Sequence, residues 1–417
     1  MPADWTSTSV DACCPKPGQR LDSLTGLRGF AALLVVGTHA AYGTGAENGS
    51  YVGLIFSRWE IGVTIFFVLA GFLLFTPWVD AAATGAAWPE LGRYFSRRAQ
   101  RIMPAYVVTV LIAYLVYQLH PIEPDPGHTW TGLWRHLTLT QTYTRDYMQS
   151  YLHQGLTQTW SLAAEVAFYL ALPPLAYGLL TKLCQGRWRP ILLLVGLGAL
   201  AAISPTWLLL QHIADWLPSA AGMWLPANLA WFVGGMMLAV LRAMGVRCYA
   251  FVAIPVALII FFIVSTPIAG APTVTPTLWQ VLAKHVFYAV IATLVVAPLV
   301  LGDAGWYARL MSSRTAVWLG EISYEVFLLH VIVMWVAMSF VLGWKPFTGS
   351  MAVLMVASLV VTIPLAWLLQ RLTRRTARFA KRIDFCQDPP GWHPIDQPVT
   401  VVAPRARGES ELATTRR

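Results

Sequence analysis

Charge is what this sequence has least of. Asp, Glu, Lys and Arg make up 12% of its 417 residues, against about 25% in a soluble domain. So little charge cannot cover a water-facing surface. With 57% apolar residues and a mean hydropathy of +0.57, the composition excludes a soluble globular domain and reads as an all-α polytopic membrane protein. Cysteine is scarce too. Cys13, Cys14, Cys184, Cys248 and Cys386 have no metal-site spacing, and the topology below puts them on or near the cytoplasmic side, so no disulfide framework is expected. Residues 1–20 hold charges and prolines but no apolar core, so no cleavable signal peptide is expected. No internal repeat is visible, which weighs against a two-fold-pseudosymmetric transporter.

What is present is a series of apolar runs long enough to cross a bilayer. Ten are expected, at roughly 24–43, 60–79, 102–119, 158–180, 190–211, 224–242, 249–268, 280–301, 315–340 and 351–370. Alternate connections carry the basic residues: Arg93, Arg97, Arg98 and Arg101; Lys182, Arg187 and Arg189; Arg242 and Arg247; Arg309 and Arg314; then Arg371 to Arg382. The other connections are poorer in them, with Arg145 and Lys345 among the exceptions. The positive-inside bias therefore expects both termini in the cytoplasm of a bacterial inner-membrane protein. It also accounts for the net charge of +9 without nucleic acid as a partner. Three regions follow: a cytoplasmic tail 1–20, a membrane domain 21–372, and a basic tail 373–417 expected to be disordered. The longest loop, His120 to Thr157, lies outside and mixes prolines with Trp130, Trp134, Tyr143, Tyr147 and Tyr151. It reads either as a cover over a site or as an interfacial aromatic belt.

Polar residues inside the spans carry the functional signal, because burying them in lipid is costly without partners or work to do. Arg28 and His39 lie eleven positions apart in LDSLTGLRGFAALLVVGTHA. At about 100° and 1.5 Å per residue they share one helix face, roughly 16 Å apart along the axis. His39 and His330 each fall fifteen residues beyond the inner end of their spans, and Glu165 enters from the outer side. All three are expected in the outer half of the membrane, where a carboxylate can orient an imidazole for general-base work. Structural readings stand beside these: a satisfied interhelical histidine for His39 or His330, and topological anchoring for Arg97, Arg98 and Arg101. His120, His128, His136 and His153 show no metal-like grouping along the chain, and no metal is expected.

Taken together, LDSLTGLRGFAALLVVGTHA, IFFVLAGFLLF, RYFSRRAQRIMPAY, QTWSLAAEVAFY, WFVGGMMLAV and GEISYEVFLLH resemble the membrane acyltransferase-3 family, in order and spacing, from Leu21 to Leu372. The resemblance implies about ten helices. It also implies transfer of an acyl group, commonly acetyl, from cytoplasmic acyl-CoA to envelope carbohydrates or lipids. The family's arginine–histidine motif matches Arg28 and His39, and its arginine-x-x-arginine motif matches Arg98 and Arg101. Trp160, Ser161, Leu162 and Glu165 match a third motif, and Ser323, Tyr324 and His330 a fourth. Ala70 departs from the family's usual serine. Many relatives append an esterase-like domain; with none here, the handover is expected to finish within the membrane domain.

The resemblance then implies a mechanism. Arg98 and Arg101, with Arg28 just inside, would bind the CoA phosphates. His39 would deprotonate the acceptor hydroxyl or carry the acyl group, Glu165 would orient it, Tyr324 would stabilise the oxyanion, and His330 completes the catalytic set. Trp160 and Ser161 are expected to bind substrate. Rival readings are a flippase for a lipid-linked sugar that uses the buried residues as a proton relay, and a scaffold with a degenerate site. A proton relay has no need of a phosphate clamp. High Ala, Arg and Trp usage fits a high-GC bacterium, which brings in a trehalose mycolate-type glycolipid as an acceptor by analogy.

Overall fold

The computed structural model describes residues 17–48, 50–120, 125–144, 153–272 and 274–384. Expectations for Cys13, Cys14, Cys386, Tyr147, Tyr151, Arg145 and both outermost tails fall outside these residues. Among the described residues every regular element is helical. Nine stretches are long and apolar enough to cross a membrane, and they coincide with nine of the ten expected runs.

The tenth run forms α10 (Ala250–Val264), 15 residues long and about 22 Å at a helical rise, short of a hydrocarbon core of about 30 Å. Its contacts nonetheless carry it from one end of the bundle to the other. The Ala250 amide donates to Asp303 Oδ2, just past α11 (Leu278–Val300). At the other end the Arg58 guanidinium donates to the carbonyls of Val264 and Gly270.

Several boundaries differ from expectation, each for a local reason. α1 (Pro17–Thr44) leads through the short α2 (Tyr51–Ser57) and a 3-10 turn, Arg58–Glu60, into α3 (Ile61–Thr84). α4 (Leu91–Leu119) begins eleven residues early, because the charged stretch from Arg93 to Arg101 continues the same helix. The expected run 315–340 is broken at Ile322 into α13 (Arg314–Glu321) and α14 (Ser323–Val336). His330 therefore lies only seven residues into its membrane helix. The last long helix, Met351–Asp384, extends helical backbone into the tail expected to be disordered.

Small residues bring the central helices together, as expected where lipid supplies no hydrophobic drive between helices. α3 crosses α9 (Leu225–Ala243) at Gly71 and Gly235. A Cβ at Gly71 would stand 2.0 Å from the Phe232 carbonyl oxygen, and one at Gly235 would stand 1.9 Å from that of Val68. Phe232 stacks between Phe67 of α3 and Phe168 of α6 (Trp160–Ala176), with ring centroids 4.3 and 4.1 Å apart. α3 is thereby fixed as the common wall of the cleft described next.

Candidate active site

One cleft, enclosing about 840 Å³ of empty space with its open mouth included, runs into the bundle. Its lining along α3 extends from Val63 to Leu74, eleven positions or about 16 Å of rise. One end is charged. α1 supplies Arg28, α4 supplies Arg98 and Arg101, and α6 supplies Glu165 and Tyr169. The arginine pair is spaced i, i+3 and so shares a helix face. Arg98 Nε is buried and meets no acceptor among the described residues. A buried donor without a partner is costly, and here it points to an anionic ligand. The other end of the cleft is apolar, lined by Val63, Phe66, Phe67 and Phe327.

Glu165 does not reach an imidazole. Its Oε1 accepts the Tyr169 hydroxyl, one turn on along α6, and it shares the charged end with the three arginines. The expectation that it sits high in the membrane and orients His39 is corrected: the i, i+4 spacing on α6 gives it a tyrosine, and the arginines supply its counter-charge. Tyr324 also lines the charged end, but its hydroxyl donates to the Ile102 carbonyl at 3.0 Å. It buttresses α4, and its proton is not free for an oxyanion. Ser161 lines the cleft with Oγ donating to Gln158 O at 3.1 Å. Trp160 packs edge-on to Phe67, ring centroids 6.4 Å apart.

His39 and His330 meet each other beyond the apolar end. Their rings are T-shaped with centroids 4.9 Å apart. His39 Nδ1 lies 2.8 Å from Val35 O, and His330 Nδ1 lies 2.7 Å from Phe327 O. A carbonyl only accepts, so the proton of each ring is assigned to Nδ1 and each Nε2 carries a lone pair. The His330 Nε2 lone pair faces His39 Nδ1 at 3.4 Å, a long contact. His330 is buried, whereas His39 is half-buried. Neither lines the cleft; Phe327 does, and its ring centre is 6.1 Å from that of His330.

Two polar groups escaped the sequence reading. Tyr169 is one, although its position four residues after Glu165 was the available signal. Glu60 pairs with Lys284 at 2.5 Å and accepts the Tyr288 hydroxyl at 3.0 Å, at the end of the bundle where α1 finishes. Beside it the Trp59 ring packs against Gly37, two residues before His39. Charges at 58 and 60 immediately before the run IGVTIFF were the signal there.

The histidines of the long loop, expected to be ungrouped, in fact converge. His128 Nδ1 lies 3.3 Å from His153 Nε2, and Asp125 Oδ2 lies 3.6 Å from the same Nε2. The His136 ring centre is 6.1 Å from that of His153. Burial holds His136 down to about 4 and His153 down to about 2, the latter helped by the neighbouring imidazoles. His120 stands apart, against Phe340.

Comparison with known proteins finds membrane-acyltransferase relatives. The chain is 29% identical over 329 residues to the acyltransferase MdmB of Streptomyces mycarofaciens, covering 75% of this chain and 79% of that protein. It is 28% identical over 214 residues to the peptidoglycan O-acetyltransferase OatA of Listeria monocytogenes, covering 47% of this chain but only 30% of OatA. No solved structure matches. Residues 21–371 match the acyltransferase domain model of the acyltransferase-3 family, and the chain belongs to that family of multi-pass membrane acyltransferases.

Proposed function

We propose that this acyltransferase takes an acyl group, acetyl in the first instance, from cytoplasmic acyl-CoA and passes it to a hydroxyl of an envelope glycan or glycolipid. The carrying observation is one continuous cleft with three arginines at its mouth and an imidazole pair just beyond its apolar end. Positive-inside bias puts the arginine end in the cytoplasm with both termini, in the bacterial inner membrane. Arg28, Arg98 and Arg101 bind the CoA phosphates by charge-assisted hydrogen bonds, and Arg98 Nε gains the acceptor it lacks. Glu165, held by Tyr169, is the counter-ion that the phosphates displace. The pantetheine arm follows the apolar wall past Ser161 toward Phe67 and Phe327.

His39 is the base. Its Nε2 lone pair takes the acceptor proton as the hydroxyl oxygen attacks the thioester carbonyl. The carbon–sulfur bond breaks, and the CoA thiolate recovers the proton from His39. While His39 carries two protons, its Nδ1–H is supported by Val35 O and by the His330 lone pair. His330 thus takes the orienting part first expected of Glu165. A hydroxyl on an envelope glycan is favoured because OatA is named for peptidoglycan O-acetylation; a trehalose mycolate-type glycolipid is a second member of the acceptor class. Two experiments test the reading. Purified protein should release free CoA thiol from acetyl-CoA when envelope extract is added, and mass spectrometry of envelopes with and without the protein should show one acyl increment. No thiol release and no increment would overturn it.

A further inference from the structure

The loop histidines lie outside the acyl-transfer cleft and have no part in the mechanism above. Asp125 and His128 follow the end of α4, and His153 immediately precedes the 3-10 turn Gln154–Thr159 that leads into α6. We propose that Asp125, His128 and His153 form a binding site for a divalent zinc-like ion that pins this connection to the top of the bundle.

Ligand spacing is the first argument. The three donor atoms lie within 4.8 Å of one another, with two separations of 3.3 and 3.6 Å. Zinc bonds of about 2.0–2.1 Å in a tetrahedron put neighbouring donors about 3.3 Å apart. Two imidazoles and one carboxylate suit zinc better than magnesium or calcium, which take oxygen ligands.

The surrounding groups supply the second argument. His128 Nε2 donates to Gln118 Oε1 at 3.0 Å, which fixes the proton there and leaves Nδ1 as a lone pair facing the centre. Metal-ligating histidines are commonly held in this way through their other nitrogen. Asp125 Oδ1 accepts the Gln154 amide at 3.3 Å and leaves Oδ2 turned toward His153. His136 adds a fully buried imidazole beside the cluster. Its Nδ1 donates to Gly132 O at 2.8 Å, and its Nε2 lone pair has no partner among the described residues.

One contact must change on loading. The Gly155 amide donates to His153 Nδ1 at 3.2 Å, so the proton of the metal-free ring is on Nε2, shared toward His128. Metal takes the place of that proton. The proton then leaves to solvent, or it moves to Nδ1 and Gly155 yields. Gly155 fits between Tyr117 and Ile332, where a Cβ would stand 2.9 and 3.2 Å from their side chains. Ile332 is two residues beyond His330, so the ion would stiffen the roof above the imidazole pair.

The test uses the full chain without a polyhistidine tag, purified in detergent, stripped with chelator and titrated with cobalt and zinc chlorides. One equivalent of Co2+ should bind with visible absorption of a low-coordinate nitrogen-ligated site, Zn2+ should displace it, and loading should release up to one proton. His128→Ala should weaken binding more than about 100-fold and Gln118→Leu about 10-fold, while His212→Ala, at an exposed histidine on α8 (Ile203–Ile213), should leave it unchanged. X-ray absorption of the zinc-loaded wild type should count two imidazoles, a readout independent of any variant's folding. Less than half an equivalent bound, binding that survives His128→Ala, or fewer than two imidazoles would each overturn the proposal.

Discussion

At the mouth of the cleft three guanidinium groups and a carboxylate share one small volume, whereas beyond its far end two imidazoles are tied to main-chain carbonyls. At the charged end one donor is buried without an acceptor among the described residues, and the carboxylate that lines the cleft is held by a tyrosine. Among the described residues, the imidazole nitrogens at the far end have partners except His39 Nε2. A binding centre gains by leaving charge uncompensated until the ligand arrives, while a proton-transfer centre gains by fixing every tautomer but one lone pair. Substitutions at the two ends should therefore separate in kinetics, with the mouth acting on donor KM and the far end on kcat.

The largest effect is expected at the far end. His39→Ala removes the lone pair, and transfer should fall about 10³-fold, within the range for loss of a general base, with expression and detergent melting unchanged. Acetyl-CoA-dependent acylation at the wild-type rate would remove His39 from the mechanism and with it the division drawn above. Next is Arg98→Ala at the mouth. Loss of a charge-assisted contact to phosphate, worth about 1.5–3 kcal/mol, should raise the donor KM about 10- to 100-fold with kcat little altered. An unchanged donor KM would show that the buried Nε meets something other than the donor.

A smaller effect tests the reassignment of the orienting part. His330→Phe keeps a ring in the space but removes the lone pair facing His39 Nδ1. It should lower kcat about 10-fold without changing donor KM. A variant that instead raised donor KM would place His330 with the cleft wall.

The two ends also differ in how much the sequence disclosed. Membrane class and the order of helices follow from hydropathy, and Arg28, His39, Arg98, Arg101, Glu165 and His330 were singled out as polar residues in apolar runs or through the family resemblance, because each is a property of a short stretch. Which side chain faces which was not legible in the same way. Glu165 was paired with His39 by counting depth along two helices, whereas its carboxylate meets Tyr169 and lines the cleft with the arginines. The similar depth expected for His39 and His330 agrees with their contact, but the break at Ile322 was hidden because it does not interrupt the apolar run. The convergence of His128 and His153 spans 25 positions of irregular chain, where no period exists to read. Periodicity reports a helix's own face; contacts between helices depend on where each begins and which glycines let it approach.

The smallest expected effect is at Tyr169, and it is the one that sharpens the account of the mouth. Tyr169→Phe deletes the hydroxyl that holds the Glu165 carboxylate while keeping the ring that lines the cleft. If Glu165 is a counter-ion displaced by phosphate, a less firmly held carboxylate turns toward the arginines in the free protein and competes better with the donor. Donor KM should then rise about three-fold with kcat unchanged, and Glu165→Gln should cancel the rise, because a neutral amide no longer competes. Were Glu165 instead a direct participant in chemistry, Tyr169→Phe would lower kcat and Glu165→Gln would deepen the loss. Initial rates for the two single variants and the double variant, taken over a range of acetyl-CoA concentrations, tell these outcomes apart.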